Sequence, residues 1–275
     1  MHNQFADIRF MSFNIRFPCE SDTGNLWDER RARVFEMIQL YDPDVIGMQE
    51  VYRRQLNDLL SALPGYAAVG KERYGGTDEE HNPVFFRRER FLAEGSATKW
   101  FSDTPDVPGT RTFCPSDHPR IVTSATLMDI PNGFRFSVLN THFPLTRDED
   151  IQLACARVVE SQLALVPKSA PVVLMGDFNA PPDGGLHGFF TRSGGGIGEG
   201  FRDTRVLAQE VLGPAGTVHG FRGGMLPQSR RIDWVMLAGE GQVTRYETVG
   251  FERDGKYPSD HFPVCVDIRF AQPEN

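Results

Sequence analysis

At 275 residues, with 40% hydrophobic and 24% charged composition, the chain has the make-up of a globular protein long enough for one large domain or two small ones. No run of about 18 apolar residues occurs, which excludes a helical membrane span, and the first residues (Met1 to Asp7) lack the basic start and apolar core of a signal peptide. A formal net charge of −8 argues against tight non-specific grip on a nucleic-acid backbone. Carboxylates gathered in one cleft would instead favour divalent cations.

In chain order, Ile8 to Ile15 alternates apolar with polar residues and predicts a strand that reaches Asn14. Asp28 to Leu40 predicts a helix, since Ala32, Val34, Phe35, Met37 and Ile38 give it a broad apolar face. Asp42-Pro43-Asp44 turns the chain into a second buried strand, Val45 to Gln49, which ends at Glu50. A helix from Arg53 to Leu63 stops at Pro64-Gly65. Pro83 to Phe86 and Phe91-Leu92 read as strand segments, and the four prolines between Ser102 and Pro119 mark a long surface loop. Ile121 to Asp129 and Phe134 to Asn140 form a hairpin about Pro131-Asn132-Gly133. Thr146 or Asp148 caps a helix running to about Val166.

Pro171 to Met175 is a buried strand that Gly176 breaks, so that Asp177 and Asn179 follow at its mouth before Pro181-Pro182. Phe178, facing the other way, anchors that turn in the core. The Gly-rich stretch from Arg192 to Gly200 follows no strand-to-helix junction and is weak as a phosphate cradle. Arg231 to Leu237 and Val264 to Phe270 are the last strands. Without linkers or repeats, residues 1–275 read as a single domain, two packed mixed sheets flanked by helices. The four cysteines form no C-x-x-C pair, so neither a disulfide framework nor a zinc site is expected.

Polar residues interrupt or end these apolar runs at Asn14, Glu50, Asn140 with His142, Asp177 with Asn179, Asp233, and Asp260-His261. Singly each has an ordinary reading. Asn14 suits a turn, Glu50 a helix N-terminus, His142 a satisfied core position, and Asp177-Phe178-Asn179 an Asx-type turn. Buried one by one they would be costly unless partnered, so they are expected to converge. Carboxylates and amides without thiolates suit a hard cation such as Mg²⁺ or Mn²⁺. His219 reads equally as site wall or loop residue; Arg87, Arg88 and Arg90 read as a solvated edge, and Trp100 and Trp234 as core.

Six segments then carry a resemblance: Ser12-Phe13-Asn14-Ile15-Arg16, Pro43 to Val51, Asn140-Thr141-His142, Gly176-Asp177-Phe178-Asn179, Arg231-Ile232-Asp233-Trp234 and Ser259-Asp260-His261. In this order they resemble the endonuclease/exonuclease/phosphatase superfamily, with its DNase-I-like fold, from about Ile8 to Phe270. Thr217 to Phe221 and Glu80 to Phe86 look like a bacterial branch similar to deadenylase-type nucleases. That branch more often continues its Thr-His pair with Leu-Asp-His, where this chain has Phe143-Pro144-Leu145, and tends to have Tyr at Phe86. Both departures lie near the expected cleft.

The resemblance implies an α/β (α+β) four-layer sandwich and a metal-dependent phosphoesterase. Glu50 would be the main ligand of Mg²⁺ or Mn²⁺, helped by Asn14 and Asp260. Asp177 would orient and deprotonate the attacking water or hold a second metal, and Asn179 would donate to the phosphate or fix that water. Asp233 with His261 would form a carboxylate–imidazole couple. His142 would donate to a non-bridging oxygen or protonate the leaving group, with Asn140 supporting it. Asn140, Arg120 and His219 are the substrate-binding candidates. The expected substrate is a phosphodiester, nucleic acid or nucleotide included, or a related phosphate ester. The alternatives are a phosphatase or sphingomyelinase-like hydrolase of a small phosphorylated metabolite or lipid, and an inactive binding module on the same fold. A cytoplasmic protein with no obligate protein partner is expected.

Overall fold

In the computed structural model, which describes residues 5–115, 117–167, 170–192, 200–223 and 230–271, the apolar runs form thirteen strands. They are β1 Phe5–Asn14, β2 Val45–Gln49, β3 Tyr66–Val69, β4 Val84–Arg87, β5 Phe91–Trp100, β6 Ile121–Asp129 and β7 Arg135–His142. After them come β8 Val172–Asp177, β9 Arg202–Asp203, β10 Glu210–Leu212, β11 Asp233–Ala238, β12 Gln242–Thr248 and β13 Val264–Ala271. Four helices of more than one turn accompany them: α1 Trp27–Tyr41, α2 Arg53–Ala62, α3 Glu149–Gln162 and α4 Gly185–Thr191.

A seven-stranded sheet takes the order β10-β12-β13-β1-β2-β4-β3, and a six-stranded sheet the order β5-β6-β7-β8-β11-β9. Both are mixed. β1 and β2 run parallel across α1, as do β7 and β8 across α3, while most other neighbours are antiparallel. Phe10, Val266 and Phe270 from the first sheet meet Phe91, Phe136, Val173 and Val235 from the second. Phe10 and Phe136 meet edge to face at 5.7 Å, the arrangement ring quadrupoles favour. Val34, Met37, Ile38 and Leu59 of α1 and α2 cover the outer face of the first sheet. Cys155, Val159, Leu186 and Phe190 of α3 and α4 cover that of the second. The result is the expected four-layer sandwich.

Local chemistry fixes the element ends. The Asp148 carboxylate accepts from the backbone N–H groups of Asp150 and Ile151 and starts α3, satisfying donors a helix start leaves open. That helix ends at Gln162 in a 3-10 turn, Leu163–Leu165, short of the expected Val166. β5 runs on to Trp100 although Ala93-Glu94-Gly95-Ser96 favours strands poorly, because β6 pairs along its whole length with a register shift between Ala93 and Gly95. The short edge strands β3, β9 and β10 and the strand β12 were not among the expected strands: β3 is apolar but only four residues long, and the other three carry charged residues. The expected Gly-rich loop falls mostly on residues 193–199, outside the described residues. The four cysteines are free, with Cys155 and Cys265 buried. Among the described residues, no helix is long and apolar enough to cross a membrane.

Beside β11, the buried Asp203 carboxylate accepts from Arg231 Nη1 (3.2 Å) and Nη2, His187 Nε2 (3.0 Å) and Arg205 N (3.0 Å). Burial alone would raise the Asp203 pKa, but the donors on His187 and Arg231 outweigh it and bring it down to about 2. A carboxylate depressed in the folded state adds stability above its unfolded pKa and loses it as pH falls through the folded one. Asp203→Asn should therefore cost about 2 kcal/mol at neutral pH. In urea unfolding, its gap from the wild type should shrink as pH falls toward about 2, where the native carboxyl protonates; a gap independent of pH would contradict this.

Candidate active site

Strand direction brings the polar residues to one rim. β1 and β2 are parallel with Asn14 opposite Gln49, so both strands end there. β7 and β8 are parallel with His142 opposite Asp177, and antiparallel β11 starts at Asp233 opposite that same Asp177. Ser259-Asp260-His261 leads into β13, whose Val264 lies opposite Ser12. Four strand ends and two strand beginnings therefore share an edge.

The backbone there is unusual. Arg16, Glu50 and Asn179 have φ of 60°, 61° and 50°, in the left-handed region that non-glycine residues rarely occupy. Each is held by local hydrogen bonds. Arg16 N donates to Asn14 Oδ1 (3.0 Å), Phe17 N to Glu50 Oε2 (2.8 Å), and Asn179 N to Asp177 Oδ1 (2.9 Å). Strain of this kind persists where surrounding contacts over-determine it, commonly at functional sites. Gly176 has φ of 152°, and a Cβ there would stand 2.0 Å from Thr141 O, so only glycine lets β8 lie against β7 at this point. Phe178 faces inward and stacks on Trp234 at 4.3 Å, both buried.

The side chains form one connected set. Asn14 Nδ2 donates to Glu50 Oε1 (3.1 Å) and to Asp177 Oδ2 (3.0 Å), crossing from the first sheet to the second. The same Asp177 oxygen lies 3.6 Å from His142 Nε2 and 3.9 Å from His261 Nε2. His261 Nδ1 donates to Asp233 Oδ2 (2.9 Å), and His142 Nδ1 to Glu80 Oε1 (3.2 Å). Asn179 Nδ2 stands 3.1 Å from His142 Nε2 and donates to Phe143 O. Asp177 and Asn179 thus reach the same imidazole, through the left-handed turn at Asn179 rather than through strand alternation. Asp260 Oδ2 is 3.7 Å from Arg16 Nε, and Ser259 Oγ donates to the Asn14 carbonyl (2.7 Å).

Charge is concentrated here. Burial would lower the His261 pKa, but Asp233, with Asp177 and Asp260 behind it, holds the imidazolium well above its usual range. Burial and repulsion from Asp233 raise Asp177, against the pull of His142 and His261. Burial would raise Glu80, and the hydrogen bond to His142, with Arg120 and Arg73 nearby, drives it below the usual carboxylate range instead.

The remaining candidates fall differently. Asn140 is fully buried, its amide donates to the Met48 (2.8 Å) and Pro83 (2.9 Å) carbonyls, and its Oδ1 accepts from Gln49 Nε2 (2.7 Å). With both N–H groups spent on main-chain carbonyls, it joins the sheets beneath the cleft. Arg120 is paired with Asp117 (3.0 Å), while its buried Nη1 has no hydrogen-bond partner and feels Glu80 and Glu50. His219 is buried, stacks on Phe262 at 3.9 Å and accepts from Gly223 N. Burial brings its pKa down to about 4, so the ring is neutral. Glu80 opens the Glu80 to Phe86 segment, which gave it no role of its own, and Arg73 Nη1 pairs with it in the interior.

Two donor sets are available to a cation. Asp177, Asp233 and His261 can place one ligand atom each within 4.8 Å of one another. The His261 ring already gives Nδ1–H to Asp233, so of that imidazole only Nε2 is left to face a cation. Asn14, Glu50 and Asp260 offer only oxygen ligands, the kind a hard divalent ion takes.

A family model described as the endonuclease/exonuclease/phosphatase family matches residues 11–261. A Bacteroides vulgatus structure described by the same family name superposes with a TM-score of 0.88 at 29% identity, over 96% of this chain and 98% of that one. A mannosyl-6-phosphatase of Bacteroides thetaiotaomicron superposes with a TM-score of 0.84 at 28% identity, over 95% and 99%. Nocturnin of Xenopus laevis is 30% identical over 169 residues, 57% of this chain but 41% of that protein. The chain spans about half the length of the curated relatives it matches, 59% of the first and 41% of Nocturnin. With strand ends, convergent side chains and the family match in agreement, the chain belongs to the endonuclease/exonuclease/phosphatase family.

Proposed function

We propose that this protein hydrolyses a phosphate ester by attack of water at phosphorus, with Mg²⁺ or Mn²⁺ held by Glu50, Asn14 and Asp260. The observation that carries the reading is the single Asp177 oxygen, 3.0 Å from the Asn14 amide and within 3.9 Å of two imidazoles, each backed by its own carboxylate. A bound divalent cation supplies charge neutralisation for the phosphate and the departing oxygen.

The chain's own groups do the rest. Asp177, with its raised pKa, orients the water and takes its proton. The His261 imidazolium donates to a non-bridging oxygen as negative charge builds in the transition state. His142, steered by Glu80, donates to a second oxygen or protonates the leaving group, and Asn179 fixes the water or the phosphate. Arg120, whose charge acts on Glu80 and Glu50, would be a phosphate contact, and neutral His219, beside the Asp260 backbone, would be a wall of the site. Similarity to the mannosyl-6-phosphatase along nearly both whole chains supports a small phosphomonoester.

A phosphoester panel (oligonucleotides, dinucleotides, inositol and sugar phosphates, sphingomyelin) run with Mg²⁺ or Mn²⁺ should show turnover that a chelator removes. Glu50→Gln should lower it at least about 10²-fold. Metal binding without turnover on any member would instead favour an inactive binding module. On whichever substrate turns over, His142→Ala should lower kcat by about 10² or more, and Glu80→Gln should show a smaller loss of the same kind. A Glu80→Gln enzyme with wild-type kcat would remove Glu80 from this role.

A further inference from the structure

Arg30, in the first turn of α1, is 1% exposed and makes no ion pair among the described residues. It spends its guanidinium on four main-chain carbonyls: Nε on Asn25 O (3.0 Å), Nη1 on Ile15 O (2.5 Å) and Pro258 O (3.0 Å), and Nη2 on Arg16 O (2.5 Å). Trp27 packs against its flat face at 5.1 Å. A buried charge without a counter-ion is expensive unless its donors are satisfied, and here those carbonyls satisfy them.

The positions of these carbonyls matter. Ile15 and Arg16 directly follow Asn14, and the Arg16 loop supplies the N–H that reaches the Asn14 side chain. Pro258 lies two residues before Asp260, in the segment that delivers Ser259, Asp260 and His261. One planar group therefore ties together the two loops that carry Asn14 and Asp260, and its fork geometry bears on their separation. The Ser259 hydroxyl bond to the Asn14 carbonyl spans the same gap.

We propose that Arg30 is a positioning residue for the divalent-cation site, setting the distance between Asn14 and Asp260. This rests on the phosphoesterase reading above. Lysine separates geometry from charge. Arg30→Lys keeps the positive charge behind the site but cannot fork across the two loops.

The test is binding of Mn²⁺ alone to the full chain, followed by the electron paramagnetic resonance signal of free Mn²⁺ with no substrate present. The chain with Arg30→Lys should melt cooperatively yet bind Mn²⁺ about tenfold or more weakly, the size of effect usual for residues that orient ligands. In hydrolysis it should need correspondingly more Mn²⁺, with the substrate KM at saturating Mn²⁺ unchanged. Asp203→Asn, destabilised at a distance from the cleft, should keep wild-type Mn²⁺ affinity. Arg30→Gln, with the same expected weakening, replaces the lysine variant if that does not fold. Wild-type affinity in the Arg30 variant would overturn the proposal, as would an equal weakening in Asp203→Asn. A wild-type chain that binds no Mn²⁺ would fail the cation reading itself, and a variant-specific null result would fail only the role of Arg30.

Discussion

The cleft depends on a hydrogen bond between sheets, from Asn14 on β1 to Asp177 on β8. Sheets that pack through apolar side chains alone have no reason to agree on position to within a hydrogen bond. Here polar links supply the agreement. Beneath the cleft, Asn140 reaches across to the carbonyls of Met48 and Pro83 and accepts from Gln49. Gly47 makes this approach possible, since a Cβ there would come within 2.7 Å of Asn140 Oδ1 and 2.6 Å of Met175 Sδ. Above these links the carboxylates of both sheets meet.

That meeting would be unstable without compensation. Asp177 is pushed up by burial and by Asp233, and two imidazoles and the Asn14 amide moderate it. Each imidazole is braced from behind by a carboxylate on the nitrogen that faces away from Asp177. The brace fixes ring orientation and leaves Nε2 of each ring toward Asp177. Left-handed backbone at Arg16, Glu50 and Asn179 completes the aim, turning three side chains sharply at the ends of their segments. The site is therefore preorganised by contacts that belong to the folded chain itself.

Much of this was legible in the sequence because the fold writes it in hydrophobic patterns. Asn14, Glu50, His142, Asp177 and Asp233 each break an apolar run at a strand end or beginning, and parallel pairing of β1 with β2 and β7 with β8 brings those breaks to one rim. What stayed hidden has partners that pattern cannot show. Asn140 looked like a cleft residue, but its partners are main-chain carbonyls distant in sequence. Glu80 and Arg30 stand among charged neighbours, Asp78-Glu79-Glu80 and Asp28-Glu29-Arg30-Arg31, and nothing in that pattern shows that both are buried. β5 outruns its own propensity because β6 pairs with it.

Crystals grown with Mn²⁺ and measured at the manganese absorption edge would locate the cation by its anomalous scattering. The strongest peak should lie within bonding reach of the Glu50 carboxylate, on the side facing Asn14 and Asp260. A peak seated instead among Asp177, Asp233 and His261, with Glu50 bare, would contradict the division of labour between ligands and acid–base groups drawn here.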